Sequence, residues 1–125
     1  MRTSMPIRRF LLPALVLAAL LAGCFSERST VTETPAGDLC ANPTASTVRI
    51  RDFSFGATEI RVSRGTRVTW VNCDPMAHTS TSDAGAWDSG LLSPNTTFSR
   101  TFDQAGRFPY HCEPHPGMRA TVIVE

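Results

Sequence analysis

The sequence predicts an all-β fold, an antiparallel Greek-key sandwich, on three observations. From Thr47 onward, apolar and polar residues alternate with a period of two in several short runs, which is the pattern of half-buried strands. Turn-forming residues separate these runs at intervals of roughly ten residues. No run in this part of the sequence repeats its apolar residues with a helical period. Short, regularly spaced strands without helices are typical of sandwiches and barrels.

The individual strands follow in order from the same pattern. The predicted strands contain residues 48–50, 60–62, 68–70, 96–102, 107–112 and 119–124. Turns are predicted at residues 63–65, 93–95 and 104–106. The large aromatic residues of these segments are assigned to the core: Phe53, Phe55, Trp70, Phe98, Phe102 and Phe108. Trp87 stands among glycines where a loop is expected, so its burial is left open.

Residues 1–23 are typical of a lipoprotein signal peptide. Arg2, Arg8 and Arg9 precede and flank an almost wholly apolar stretch, and small residues precede Cys24. An uncleaved membrane helix is the alternative, but the apolar stretch is shorter than the roughly 20 residues that a span requires. Cleavage before Cys24 would make this cysteine the lipidated N-terminus. We therefore expect an exported protein, anchored to the periplasmic or extracellular side of a membrane, by the general or the twin-arginine route.

The rest of the chain divides into a tether and one domain. Residues 24–45 are rich in Ser, Thr, Glu, Pro and Gly, with almost nothing to bury, which predicts a flexible lipid-anchored tether. Residues 46–125 are enough for a single packed domain. Loss of the three arginines of the signal peptide lowers the formal charge from +1 to −2. A near-neutral balance of this kind predicts no nucleic-acid partner.

A metal site is predicted in the stretch Y-H-C-E-P-H-P-G-M at residues 110–118. It places a thiol, an imidazole and a thioether at Cys112, His115 and Met118, on a loop between two predicted strands. His78 is the remaining histidine that is not adjacent to one of these three. Two histidines, a cysteine and a weak axial methionine are the donor set of a blue-copper electron-transfer centre. Zinc would accept the histidines and the cysteine but rarely uses a thioether, so the set favours copper.

The other residues of the stretch have structural interpretations. His111 is adjacent to Cys112, and neighbouring strand residues point to opposite faces, so we expect His111 at or near the surface. Pro114 and Pro116 stiffen the loop and remove backbone donors. Gly117 allows it to turn tightly.

The four cysteines divide by role. Cys24 is assigned to the lipid and Cys112 to the metal, which leaves Cys40 and Cys73. Disulfides persist in exported proteins, so we predict a bridge between these two. A free buried thiol at Cys73, or a second metal ligand there, remains the alternative.

From about Thr47 to Glu125 the chain resembles the cupredoxin family of type 1 blue copper proteins, most closely its amicyanin and plastocyanin branches. The resemblance rests on the Y-H-C-x-P-H-P-x-M run with its two-residue gap between His115 and Met118. It implies a cupredoxin β-sandwich, one copper ion that cycles between Cu(I) and Cu(II), and electron transfer through the exposed edge of His115. It also implies an apolar patch around that edge, to which we assign the following residues: Met76, Leu91, Pro116 and Gly117.

Two positions depart from the family pattern. Members commonly have Asn directly after the first ligand histidine and Ser or Thr directly after the cysteine, where this chain has Thr79 and Glu113. We expect the Thr79 hydroxyl to donate a hydrogen bond to the Glu113 carboxylate, because groups behind the ligands orient them.

The predicted function is that of a monomeric, membrane-tethered carrier of single electrons between redox proteins, such as a cytochrome, an oxidase or a dehydrogenase. It is not predicted to be an enzyme, because the three histidines leave none with which to build a substrate-binding copper site. The alternative is a copper chaperone or scavenger at the cell surface. Such proteins tend to expose Met- or His-rich segments. After the predicted signal peptide this chain has only two methionines, Met76 and Met118, which do not form such a segment.

Overall fold

The computed structural model describes residues 36–125, with side chains from Asp38 onward. Its elements, in chain order, are α1 (Ala36–Ala41), β1 (Thr47–Arg51), β2 (Ser54–Phe55), β3 (Glu59–Val62), β4 (Thr66–Asn72), β5 (Thr81–Ser82), β6 (Thr97–Phe102), β7 (Gly106–His111) and β8 (Arg119–Val124). The predicted signal peptide at residues 1–23, the lipidation site Cys24 and the first part of the tether lie outside the described residues.

The strands form two four-stranded sheets, in the orders β2-β1-β4-β6 and β3-β8-β7-β5, which confirms the predicted β-sandwich. The sheets are mixed and not purely antiparallel, because β1 pairs with β4 and β3 pairs with β8 in parallel. The chain leaves the first sheet after β2, crosses to the other sheet as β3 and returns beside β1 as β4. The parallel pairing of β1 with β4 requires a long crossover connection of this kind, which a tight hairpin cannot provide.

The period-two alternation correctly located β1, β3 and β4, and the predicted turns and apolar runs correctly located β6, β7 and β8. Val48 and Ile50 of β1 are buried, and so are Val68 and Trp70 of β4, while the residues between them are more exposed. The two-residue strands β2 and β5 were not predicted, because a strand of two residues is too short to show a period.

Trp70 is fully buried at the centre of an aromatic core. Its ring contacts those of Trp87, Phe98, Phe102 and Tyr110. Trp87 is also buried, and its indole Nε1–H donates to Ser80 Oγ at 3.0 Å, so the loop that carries it belongs to the core.

The assignment of Phe53 to the core was wrong. This side chain is 53% exposed. Asp52 and Phe53 have backbone φ angles of 53° and 54°, in the left-handed region that non-glycine residues rarely adopt. The resulting turn breaks the alternation of β1 and directs Phe53 outward.

The domain begins upstream of the predicted boundary at residue 46. The last part of the predicted tether forms α1, whose Leu39 is buried, and Cys40 is bonded to Cys73. This confirms the predicted disulfide, which joins residues 33 apart in sequence with their Cα atoms 5.8 Å apart. A single buried leucine and a covalent bond therefore hold a segment that composition alone assigns to the tether. Within residues 36–125 no helix is long and apolar enough to cross a membrane.

Candidate metal centre

The end of β7 and the loop after it place three of the candidate ligands. Tyr110 and Cys112 are fully buried, and the side chain of the intervening His111 is 22% exposed, as the alternation of a strand requires. The loop then folds back on itself. The His115 N–H donates to the Cys112 carbonyl at 3.3 Å, the Met118 N–H to the His115 carbonyl at 2.9 Å, and the Cys112 N–H to the Met118 carbonyl at 3.1 Å.

His78 approaches the same loop from a different part of the chain. Its backbone pairs with that of Leu92 in both directions, through bonds of 3.3 and 2.7 Å, which fixes its position between β4 and β5. The His78 side chain is fully buried and directs Nδ1 toward Cys112 Sγ.

The ligand atoms of His78, Cys112 and His115 all lie within 4.8 Å of one another. The distance from Cys112 Sγ to Nδ1 is 3.7 Å for His78 and 3.6 Å for His115. Nitrogen and sulfur ligands lie about 2.0–2.3 Å from a transition-metal ion, so two of them in one trigonal plane are roughly 3.7 Å apart. The geometry and chemistry of the three donors therefore suit a single copper ion.

Met118 lies at the same loop and is buried, with 6% of its surface exposed. Its backbone closes the turn through bonds to Cys112 and His115. The four predicted metal residues thus come from two segments of the chain that the fold brings to one end of the sandwich.

Sequence reasoning missed Asp74, which lies directly behind His78. The Nε2 atom of His78 is 2.9 Å from Asp74 Oδ2, and both side chains are buried. The same carboxylate accepts hydrogen bonds from the backbone N–H groups of Asp52 at 2.9 Å and Phe53 at 3.0 Å. An aspartate four residues before a candidate histidine ligand was the signal that could have identified it, because metal-binding histidines commonly bond to a carboxylate.

The pKa of Asp74 reflects these contacts. Burial raises the pKa of a carboxyl group, but the hydrogen bonds from Phe53, Asp52 and His78 together outweigh burial and lower the pKa of Asp74 below its ordinary value. Asp74 is therefore held as a carboxylate behind the site.

The two ligand loops are joined by a hydrogen bond that differs from the predicted one. The Thr79 hydroxyl accepts from the backbone N–H of Glu113 at 2.8 Å and also bonds to the Thr81 hydroxyl at 2.9 Å. The Glu113 carboxylate instead points outward, where its side chain is 60% exposed and lies 3.3 Å from His111 Nε2. Keeping the charge in solvent avoids the cost of burying it, while the amide can be satisfied by a neutral hydroxyl. The Thr79 backbone N–H, in turn, lies 3.3 Å from Cys112 Sγ.

Replacement of Thr79 by alanine is expected to destabilise the metal-free domain by about 1–3 kcal/mol, because it leaves the partly buried Glu113 amide without its acceptor. Thr79→Ser keeps the hydroxyl and is the matched control. Urea unfolding of the three proteins measures the difference. Equal stability of the Ala and Ser variants would contradict this role of the hydroxyl.

His111 lies between two carboxylates on the surface. Its Nδ1 bonds to Asp83 and its Nε2 faces Glu113. The hydrogen bond to Asp83 is the main cause that raises the pKa of His111 above its ordinary value, with a smaller contribution from Glu113 and partial opposition from burial.

The raised pKa predicts that the domain is less stable at higher pH in this range. The folded state holds the His111 proton more tightly than the unfolded chain, whose histidine pKa is about 6.5. The contribution is complete below that value and is lost as pH rises through the higher pKa of the folded state. Unfolding free energies between pH 5 and 9 should show this fall in the native protein and a weaker one in His111→Gln, and an identical fall in both would refute the assignment.

Three large apolar side chains are exposed around the histidines. Phe53, Met76 and Leu91 are 53%, 52% and 68% exposed. The ring of Phe53 stands edge-on to those of His78 and His115, at centroid distances of 5.4 and 5.0 Å. Met76 precedes His78 by two residues, and Leu91 adjoins the residue that pairs with His78. The predicted patch thus lies at this end of the sandwich, with Phe53 as a further member.

The chain is similar to known copper proteins in sequence. A family described as copper binding proteins of the plastocyanin/azurin family matches residues 43–125. Amicyanin from Paracoccus denitrificans is 35% identical over 124 residues, which cover 94% of this chain and 95% of that protein. Plastocyanin from Scenedesmus fuscus is 32% identical over 84 residues, which cover 57% of this chain and 86% of that protein.

The fold is also similar to solved structures. A Cu(I) form of an amicyanin variant has a TM-score of 0.61 and 33% identity, over 63% of this chain and 80% of that chain. An oxidized amicyanin variant has a TM-score of 0.61 and 32% identity, over 68% of this chain and 88% of that chain. All of the candidate ligands fall inside the range that the family matches.

Proposed function

This chain belongs to the plastocyanin/azurin family of copper-binding proteins, and from that premise we propose that it is a type 1 blue-copper carrier of single electrons. Copper is its cofactor, and the bound ion would supply a couple between Cu(I) and Cu(II). The proposal is carried by one observation: a buried thiol lies 3.6–3.7 Å from the Nδ1 atoms of two histidines. This donor set suits both oxidation states.

Met118 is proposed as the weak axial ligand. Its thioether is the fourth donor of the set that sequence reasoning assembled, it is buried, and its backbone is bonded to Cys112 and His115. A soft sulfur at this position favours copper over zinc.

The protein's own contribution to electron transfer is a centre that moves little. Cys112 and His78 are fully buried and are held by backbone hydrogen bonds on both sides. The Thr79 N–H donates toward the Cys112 sulfur, and Asp74 holds the far side of the His78 ring. Donors fixed in this way do not need to rearrange when the charge of the centre changes.

His115 is proposed as the point where electrons enter and leave. It is only partly buried, in contrast to His78, and exposed apolar side chains lie around it. The partner is proposed to be a redox protein, such as a cytochrome, an oxidase or a dehydrogenase, that presents an apolar face to Phe53, Met76 and Leu91. Large exposed apolar side chains grouped at one end are typical of a docking surface.

We also propose that the protein acts as a monomer outside the cytoplasm, tethered to a membrane by a lipid on Cys24. This part rests on the charged, apolar and small-residue pattern of residues 1–24. The proposed role is electron transport and not catalysis.

A copper chaperone or scavenger is the second candidate. It would need to release the metal readily, and a preformed centre with a fully buried thiol does not favour release. Repeated oxidation and reduction without loss of copper supports the carrier. Ready transfer of copper to a metal-free acceptor protein supports the chaperone.

The test of the proposed function is the visible absorption and electron paramagnetic resonance spectrum of the Cu(II)-loaded protein. An intense blue thiolate-to-copper band with narrow copper hyperfine splitting is expected. A colourless protein, or one with an ordinary tetragonal copper spectrum, would mean that Cys112 is not a ligand and would overturn the electron-carrier assignment.

A further inference from the structure

We propose that Asp74 is a positioning residue with two linked effects: it fixes the tautomer in which His78 can bind copper, and it holds Phe53 against the ligand histidines. The proposal rests on the ligand role of His78 in the proposed function. The contacts on which it rests are all between protein groups of the described residues.

The first effect follows from the hydrogen-bonding capacity of the two groups. A neutral imidazole carries one N–H and one free lone pair, whereas a carboxylate only accepts. Because Asp74 Oδ2 lies 2.9 Å from Nε2 of His78, the proton belongs on Nε2. The Nδ1 lone pair, which faces Cys112 Sγ at 3.7 Å, is then free for a metal.

Burial strengthens the preference of His78 for the Nε2–H tautomer. The His78 side chain is fully buried and that of Asp74 is 6% exposed. With the proton on Nδ1, the Nε2 lone pair would face a carboxylate oxygen, and two buried acceptors would oppose each other without a hydrogen bond between them. Unmet hydrogen-bonding groups of this kind are costly where water cannot reach them.

Asp74 is itself held in place. Its backbone N–H donates to Asn72 Oδ1 at 2.9 Å. The Asn72 side chain is fully buried, and its Nδ2 donates to the carbonyl groups of Met76 at 2.7 Å and Leu92 at 2.8 Å. The carboxylate is therefore a fixed point of the ligand loop and not a mobile surface charge.

The second effect comes from the remaining bonds of the same carboxylate. Its oxygens accept the N–H groups of Asp52 and Phe53, the two residues with positive φ angles. A left-handed conformation is unfavourable for such residues and needs support from the surrounding structure. The turn places the Phe53 ring edge-on to both His78 and His115. One side chain thus sets both the orientation of a ligand and the position of an exposed residue of the docking surface.

The test uses Asp74→Ala in the metal-free protein, where proton and nitrogen NMR of the His78 ring reports the tautomer directly. Alanine removes both carboxylate oxygens, so His78 Nε2 and the N–H groups of Asp52 and Phe53 all lose their acceptor. We expect the Nε2–H tautomer in the native protein. In the variant we expect loss of the preference for Nε2–H, together with faster hydrogen exchange of the Phe53 amide.

Copper binding supplies the second readout, measured as Cu(II) affinity in competition with a chelator. Loss of a carboxylate that orients a ligand histidine typically lowers metal affinity about 10–100-fold, and we expect a decrease in this range for Asp74→Ala. Asp52→Asn is the matched control, because Asp52 carries the same charge in the same turn, but its side chain is exposed and it joins the network through its backbone. Asp74→Glu keeps a carboxylate and should restore the Nε2–H tautomer.

The outcomes separate this proposal from the proposed function. An Asp74→Ala protein that keeps the Nε2–H tautomer and has the same copper affinity as Asp52→Asn overturns the positioning role. A lowered affinity that Asp52→Asn reproduces also overturns it, since a loss of negative charge alone would then explain the effect. Failure of the native protein to give a blue spectrum would refute the electron-carrier assignment and leave the tautomer measurement to be decided separately.

Discussion

Cys112→Ser is expected to abolish the intense visible absorption of the copper-loaded protein while leaving the metal-free domain folded. The band of a blue-copper centre depends on a thiolate bound to Cu(II), and Cys112 is the free cysteine among the described residues. Serine has nearly the same size, so the fully buried position is not left as a cavity. The intense visible band should therefore disappear completely, whereas the unfolding free energy of the metal-free domain should decrease only modestly.

Copper affinity should fall in the same variant, because a hydroxyl is a much poorer ligand for Cu(I) than a thiolate. The spectrum, the affinity and the unfolding transition should be measured together. A Cys112→Ser protein that stays blue would show that the thiol is not a ligand. A variant that fails to fold would be replaced by Cys112→Ala, which also removes the sulfur.

The second large effect is expected from the double variant Cys40→Ser with Cys73→Ser. The native bridge closes a sequence separation of 33 residues. In the chain-entropy account, its removal lowers the unfolding free energy by about 3–4 kcal/mol. For a domain of this size each kcal/mol corresponds to roughly 4–8 °C in Tm, so the variant should melt well below the native protein.

Unfolding of the metal-free proteins by heat and by urea measures this difference. The matched control is the native protein after mild reduction, which should lose the same stability if the bridge is the cause. The double variant keeps Cys112 and should stay blue when loaded with copper, the reverse of the Cys112→Ser result. A change of less than about 1 kcal/mol would contradict this prediction. It would mean that residual structure already restricts the unfolded chain as much as the bridge does.

Much of this molecule could be predicted from local patterns. Alternation of apolar residues located β1, β3 and β4, because the side-chain period of a half-buried strand is two. Turn residues and the apolar runs that follow them located β6, β7 and β8. The residue types at Cys112, His115 and Met118 indicated copper, because the chemistry of a ligand belongs to the residue itself.

The parts that could not be predicted depend on contacts between distant residues. Phe53 is a large aromatic residue, which favours a core position. Its exposure results from a turn that is held by a carboxylate 21 positions later in the sequence. In the sequence, nothing but its spacing from His78 distinguishes Asp74 from other loop aspartates. Only the folded structure shows that it is buried against His78. The hydrogen bond from Glu113 to Thr79 joins residues 34 positions apart. Its donor is a backbone amide, which every residue except proline has, so the identity of residue 113 does not predict the bond.

The position of the disulfide has a mechanical consequence. Cys73 is the neighbour of Asp74, which contacts His78, so α1 is attached covalently at the copper end of the sandwich. A pull along the chain from the residues before Ala36 would be transmitted through Cys40 to Cys73, and the segment from Cys40 to β1 would bear little of the load. The proposed docking surface and the disulfide that fixes α1 to the sandwich thus lie at the same end of the domain.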